Sequence, residues 1–272
     1  MIAPTKGPLE RLANASERIA DALEKLAAAR ARDEVRHFEV VPGRLDEPAP
    51  AFATLGYLQD QPKLLEPPEN IIPRLAYCGR LVALAGPDKS GKSTLMAHAM
   101  AALSWGRPFL DEPVSIRTGR AVLVGLEESL SDEVRRLKGL EANPDRIQLL
   151  VDRQGGVLPN VRELLDDWRA DLIVVDSISE YARVTMGEVP SNGDDAGWSA
   201  VVRPLAALAH DLDVAIVVLH HVRRSDGQYR GASEIAAAVD AILEMEVPKS
   251  ANDPTERRFT GRGRWHIEPF SI

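Results

Sequence analysis

The stretch Gly86-Pro87-Asp88-Lys89-Ser90-Gly91-Lys92-Ser93-Thr94 follows the apolar run Leu81-Val82-Ala83-Leu84-Ala85 and fits the pattern G-x-x-x-x-G-K-[S/T]. That pattern dictates a strand, a tight loop and a helix, in that order. The glycines let the loop close with its backbone N–H groups turned inward, and the start of the helix adds its positive end to the same cradle. Such a cradle takes phosphate oxygens, with Lys92 reaching the β and γ phosphates and the Ser93 hydroxyl a ligand for Mg2+. ATP and Mg2+ are therefore the expected cofactors. A plain glycine-rich turn is the competing reading; the strand before the loop and the helical run 95–103 after it weigh against that.

Beyond the loop, β-branched and aliphatic runs at 81–85, 121–126, 147–151, 172–175, 214–219 and 241–247 alternate with helical stretches at 132–140, 161–168 and 198–210. Near-continuous apolar strands separated by helices imply an α/β fold, a mainly parallel sheet with helices on both faces and ligands at the carboxyl ends of its strands. Residues 257–260 and 265–270, around Gly261-Arg262-Gly263, read as a C-terminal β-hairpin at the sheet edge. Ahead of this core, Leu9, Leu12, Ile19, Leu23 and Leu26 step by threes and fours. They predict an amphipathic helical arm within residues 1–40 that docks either on a neighbouring subunit or on its own domain. The proline-rich stretch 41–73 reads as a stiff linker or extended wrap, which leaves 74–272 as the core.

The formal net charge of -8 and a pI near 5.4 argue against a broad basic face that coats duplex DNA. A single strand needs only a few cations on loops, so local binding stays open. The one cysteine, Cys78, excludes an internal disulfide framework and reads as a small core residue. With no apolar run of bilayer-spanning length and no recognisable leader, a cytoplasmic protein without a membrane partner is expected.

Three further groups fall at carboxyl ends of predicted strands. Asp176 ends the run Leu172-Ile173-Val174-Val175, where an acid is needed to hold Mg2+ or its water shell, so Ser93 and Asp176 form the expected metal pair. Capping the turn at Ser177 is the alternative for Asp176, and Asp171 reads as an ordinary boundary residue. Glu127 and Glu128 follow the strand Val122-Leu123-Val124-Gly125-Leu126, close enough for Glu127 to activate water with Glu128 in support. Both glutamates would also favour the N-terminus of the next helix. His220 ends the run 214–219, placed to feel a γ-phosphate. A zinc pair with His221 is discounted because adjacent strand side chains point to opposite faces.

In their order and spacing, Glu66-Pro67-Pro68, the phosphate loop, Glu127-Glu128, Val174-Val175-Asp176-Ser177, Leu219-His220-His221, Tyr229-Arg230-Gly231-Ala232-Ser233 and Ala238-Val239-Asp240-Ala241-Ile242-Leu243 resemble a known family. That family is the RecA-type P-loop ATPase core, and within it the RepA-like and DnaB-like hexameric helicase ATPases of plasmids, phages and prophages. The resemblance covers residues 65–270. It implies a RecA-like P-loop NTPase fold, a homo-oligomer in the form of a hexameric ring, Glu127 as the catalytic carboxylate and His220 as the γ-phosphate sensor. It also implies that Arg262 and Arg264 enter the neighbour's site, where a cation supplied in trans stabilises the transferring phosphoryl group. Solvated hairpin charge is the alternative for these two arginines.

Two loops fall where RecA-type proteins place DNA-binding elements. The first, 179–195, is read as a long structureless segment, with Glu180, Glu188, Asp194 and Asp195 against only Arg183, and is assigned no phosphate contact. The second, 221–231, carries Arg223, Arg224, Tyr229 and Arg230, which suit the phosphates and bases of single-stranded DNA. The expected function is an Mg2+-dependent ATPase that hydrolyses ATP between subunits to translocate on or unwind DNA. One alternative is a RecA-like recombinase forming filaments on single strands. The other is an ATP-dependent switch or loader that meets a replication or recombination partner through residues 1–40.

Overall fold

In the computed structural model the described residues are 54–59, 66–150, 156–191, 193–225, 228–230, 235, 237–248, 253 and 255–272. The chain divides into Met1–Val41 and Pro42–Ile272, and all described residues belong to the second unit. The arm expected within residues 1–40 and most of the proline-rich stretch lie outside the described residues.

A short helix, α1 (Leu55–Gln59), precedes an antiparallel ribbon of β1 (Asn70–Ile72) and β2 (Ala76–Tyr77). Ile71 and Ile72 are fully buried, so the end of the stretch read as a linker is part of the core. There follow β3 (Leu81–Gly86), α2 (Lys92–Trp105), β4 (Ala121–Gly125), α3 (Leu130–Gly139), β5 (Ile147–Leu149), α4 (Val157–Asp167) and β6 (Leu172–Asp176). Then come α5 (Ile178–Met186), α6 (Asp195–Leu212), β7 (Ala215–His221), the hairpin β8 (Arg223–Ser225) and β9 (Gln228–Arg230), β10 (Ala241–Glu246), β11 (Arg258–Gly263) and β12 (Phe270–Ser271).

The main sheet has the order β12-β11-β10-β3-β7-β6-β4-β5. From β10 to β5 all pairings are parallel, whereas β11 and β12 run antiparallel at one edge. Strand geometry sends alternate side chains to opposite faces. Val82, Leu84, Leu123, Val174, Val217 and Leu219 accordingly pack in one apolar layer with Leu95, Met96 and Met100 of α2. Leu81, Ala83, Val122, Ile173, Val175, Ile216 and Val218 form the other layer with α4, α5 and α6. Burial on both faces explains why these strands read as unbroken apolar runs.

Three local readings differ from the structure, each for a physical reason. Where a structureless loop is expected at 179–195, α5 forms instead, because Ile178, Tyr181 and Ala182 fall on one helical face and are buried. The loop-forming residues begin only at Gly187, the C-cap with φ 83°. At the sheet edge, β11 runs through Gly261-Arg262-Gly263 without turning. Those glycines permit close packing: a Cβ at 261 would lie 2.6 Å from Ile267 Cγ2, and one at 263 would lie 2.8 Å from Ala241 Cβ.

The third is Asp171, which is 3% exposed and more than a boundary residue. Its carboxylate accepts from Arg117 N (3.1 Å), Thr118 N (2.8 Å), Thr118 Oγ1 (2.9 Å) and Gly119 N (2.8 Å), fixing the turn that enters β4 at the end of the sheet away from the phosphate loop. Asp171→Ala strands those donors, and urea unfolding is expected to register a loss of about 3 kcal/mol. Turnover per folded molecule is expected to stay unchanged.

Candidate functional site

Parallel strands end at a common edge of the sheet, so β3, β7, β6 and β4 deliver their last residues side by side. The register sets Gly86 beside His221 and Gly125 beside Asp176. Gly125 leaves room for the buried Glu133 carboxylate of α3, which would lie 1.8 Å from a Cβ built there.

The loop between β3 and α2 is closed by its own backbone. Ser90 N donates to Pro87 O at 3.3 Å and Leu95 N to Gly91 O at 2.8 Å, while Gly91 takes φ 101° as the N-cap of α2. Lys92 is 3% exposed and folds back over the loop, donating from Nζ to Gly86 O (3.0 Å) and Pro87 O (2.8 Å). Burial pushes its pKa down, opposed by the nearby charges of Asp176, Asp88 and Glu127.

Asp176 shares the face of Val174 and so turns toward α2 and the loop. It is 8% exposed and accepts a hydrogen bond from the Ser93 side chain. Burial raises its pKa despite that bond, and Glu127 adds to the rise. Asp176, Glu127 and His221 each offer a ligand atom, all within 4.8 Å of one another. Hydroxyl and carboxylate oxygens around a desolvated acid are a donor set that fits Mg2+ at Ser93 and Asp176.

The γ-phosphate sensor expected at His220 is corrected by the geometry. His220 shares the face of Ile216 and Val218, away from the loop, where it is buried with its ring 5.8 Å from that of Trp198. His221, one residue on, turns to the loop face. Its Nδ1 lies 2.6 Å from Asp88 Oδ1 and 3.4 Å from Lys92 Nζ, and its Nε2 lies 2.9 Å from Glu127 Oε2. The strand alternation that argued against a zinc pair held the signal, but choosing between the two histidines requires knowing which face carries α2.

Of the two glutamates, Glu127 joins the loop cluster through His221, while Glu128 pairs with Arg136 of α3. Arg262 lies 3.4 Å from Glu244 and Arg264 3.2 Å from Asp240, both on the antiparallel edge beside the start of β10. Neither reaches the loop of its own chain. Arg223 and Arg224 lie on β8, paired in register with Arg230 and Tyr229 of β9, directly after His221. One group has no sequence signal at all: Arg257, remote in the chain, donates from Nε to Ser90 O at 2.7 Å.

The family described as AAA domain matches residues 50–227. The RecA protein of Mycoplasma mycoides subsp. mycoides SC is 25% identical over 187 residues, 64% of this chain and 50% of that protein. RecA of Synechocystis sp. is 26% identical over 174 residues, 60% of this chain and 44% of the relative. RecA of Lactococcus lactis subsp. cremoris is 27% identical over 164 residues, 57% and 38% respectively. The chain thus spans half or less of the length of these relatives. A KaiC-like protein from Pyrococcus horikoshii OT3 shares the fold with a TM-score of 0.52 at 15% identity, over 75% of this chain and 92% of that one. Among the described residues no helix is long and apolar enough to cross a membrane.

Three measurements follow from the geometry. Because the folded state holds the Asp176 proton to higher pH than the unfolded chain does, its contribution favours folding at low pH and is lost as pH rises through the raised value. Asp176→Asn removes that deficit, so it is expected to raise Tm by about 2–4 °C at neutral pH, with the gap closing in acid. His221→Ala is expected to lower nucleotide turnover at least about tenfold with little change in stability. His220→Ala should instead destabilise the fold by about 2 kcal/mol, read by denaturant titration, with turnover per folded molecule preserved.

Proposed function

Because the chain belongs to the AAA domain family and carries a RecA/AAA+-type P-loop ATPase domain, we propose that it is an Mg2+-dependent ATPase acting on single-stranded DNA. The observation that carries this reading is the His221 bridge. One imidazole touches the phosphate loop through Asp88, the candidate base through Glu127, and by chain continuity the basic hairpin of β8 and β9.

ATP is held by the inward N–H groups of the loop between β3 and α2 and by Lys92, whose Nζ leaves the carbonyls of Gly86 and Pro87 to meet phosphate. Ser93 and Asp176 hold Mg2+, which when bound offsets phosphate charge. Glu127 takes the proton of the attacking water at a carboxylate oxygen, and His221 orients that carboxylate. A shift of His221, the last residue of β7, would pass through Val222 to Arg223 and Arg224 of β8. Arg262 and Arg264, exposed on the edge of the sheet, stabilise the transferring group in a neighbouring subunit. The arm expected from the apolar spacing within residues 1–40 would link subunits or meet a replication or recombination partner.

Likeness to RecA proteins favours a recombinase-like assembly that forms filaments on single strands. A hexameric RepA-like or DnaB-like helicase is the second reading, favoured by the order of motifs from Glu127-Glu128 to Asp240. Electron microscopy with a slowly hydrolysed ATP analogue separates filaments from rings. ATP turnover is expected to rise with single-stranded DNA, and the DNA affinity to fall with salt. Glu127→Gln is expected to lower kcat at least about a hundredfold while ATP still binds. Absence of turnover with and without DNA at low salt would sink the reading.

A further inference from the structure

Just ahead of β11 the chain sends Arg257 back to the phosphate loop. Its Nε donates to Ser90 O at 2.7 Å and its Nη1 to Glu256 O at 2.9 Å. The backbone beneath it is pinned as well, by reciprocal hydrogen bonds of 2.9 Å with Ile272. Ser90 is 2% exposed, and Gly91 after it sits at φ 101°.

In a trans peptide unit the C=O and the following N–H point to opposite sides. A donor that fixes Ser90 C=O outward therefore aims Gly91 N–H into the loop, where the α and β phosphates are cradled. The guanidinium charge polarises the same peptide and makes that N–H a stronger donor. The other flank of the loop is held through Asp88 and His221. We infer that Arg257 is a positioning residue of the nucleotide site, holding the Ser90–Gly91 peptide in its phosphate-binding orientation and tying the loop to the β11–β12 edge of the sheet. The inference rests on the reading of the loop as an ATP site, and it is independent of whether the assembly is a filament or a ring. Because the peptide faces phosphates common to ATP and ADP, the contribution falls on binding of both nucleotides more than on the chemical step.

The test uses the full chain, with ATP and ADP affinities from titration calorimetry and kcat at saturating ATP. Arg257→Met keeps the apolar stem and removes the donors; Arg257→Lys restores one. In R257M both dissociation constants are expected to rise about tenfold to a hundredfold, the worth of one charge-assisted hydrogen bond, with kcat within about threefold of wild type. R257K is expected to recover most of that affinity. Wild-type affinity in R257M while K92A has lost binding overturns the inference alone; wild-type affinity in both variants overturns it together with the reading of this loop as the nucleotide site. Loss of affinity that R257K fails to restore, accompanied by a lower Tm, also overturns it by assigning Arg257 to fold stability. If R257M does not fold, R257Q, whose amide falls short of Ser90 O, takes its place with the same expected direction and the same overturning result.

Discussion

Burial of the sheet on both faces is the constraint from which the rest follows. Each central strand must send alternate side chains into opposite apolar layers, and a slip by one residue would exchange the whole set. The same alternation continues to the last residue of each strand. On β6 it carries Asp176 to the α2 side with Val174, and on β7 it carries His221 there with Leu219 while His220 goes to Trp198. Packing that selects the register thus also selects which polar groups meet the loop.

What gathers at that edge is a dense charge cluster in a half-dry setting. Lys92 is desolvated yet surrounded by Asp176, Asp88 and Glu127, and Asp176 is buried beside Glu127. Such an arrangement is unfavourable for the fold and suited to binding a multiply charged ligand, a trade common at functional sites. The loop is also held from two directions: Asp88 by His221 at the end of β7, and Ser90 by Arg257 ahead of β11. Its shape is therefore a property of three strands rather than of its own glycines alone.

Much of this was legible in the residues. The loop pattern, the apolar runs of β3, β4, β6, β7 and β10 and the strand-ending Asp176 needed only period and position, because a doubly buried parallel sheet leaves a plain hydrophobic record. Where reading by composition failed, glycine and polar content had a different cause. Gly261 and Gly263 serve close packing inside β11, and the acidic stretch after Ser177 still has the spacing of the helix α5. Asp171 looked like a boundary residue because backbone N–H donors leave no side-chain pattern.

By itself the sequence determined the strand-loop-helix phosphate-loop pattern, the parallel α/β class and the acids that end strands at the same sheet edge, since these depend on local spacing and on periodicity along one segment. The tertiary structure alone decided which histidine faces the loop, that Glu128 turns to Arg136 while Glu127 turns to His221, and that Arg257 grips Ser90 from 167 positions away. Those choices depend on which sheet face carries α2 and on which strands lie side by side. Both are set by packing between segments remote in the chain, which leaves no trace in the spacing of neighbouring residues.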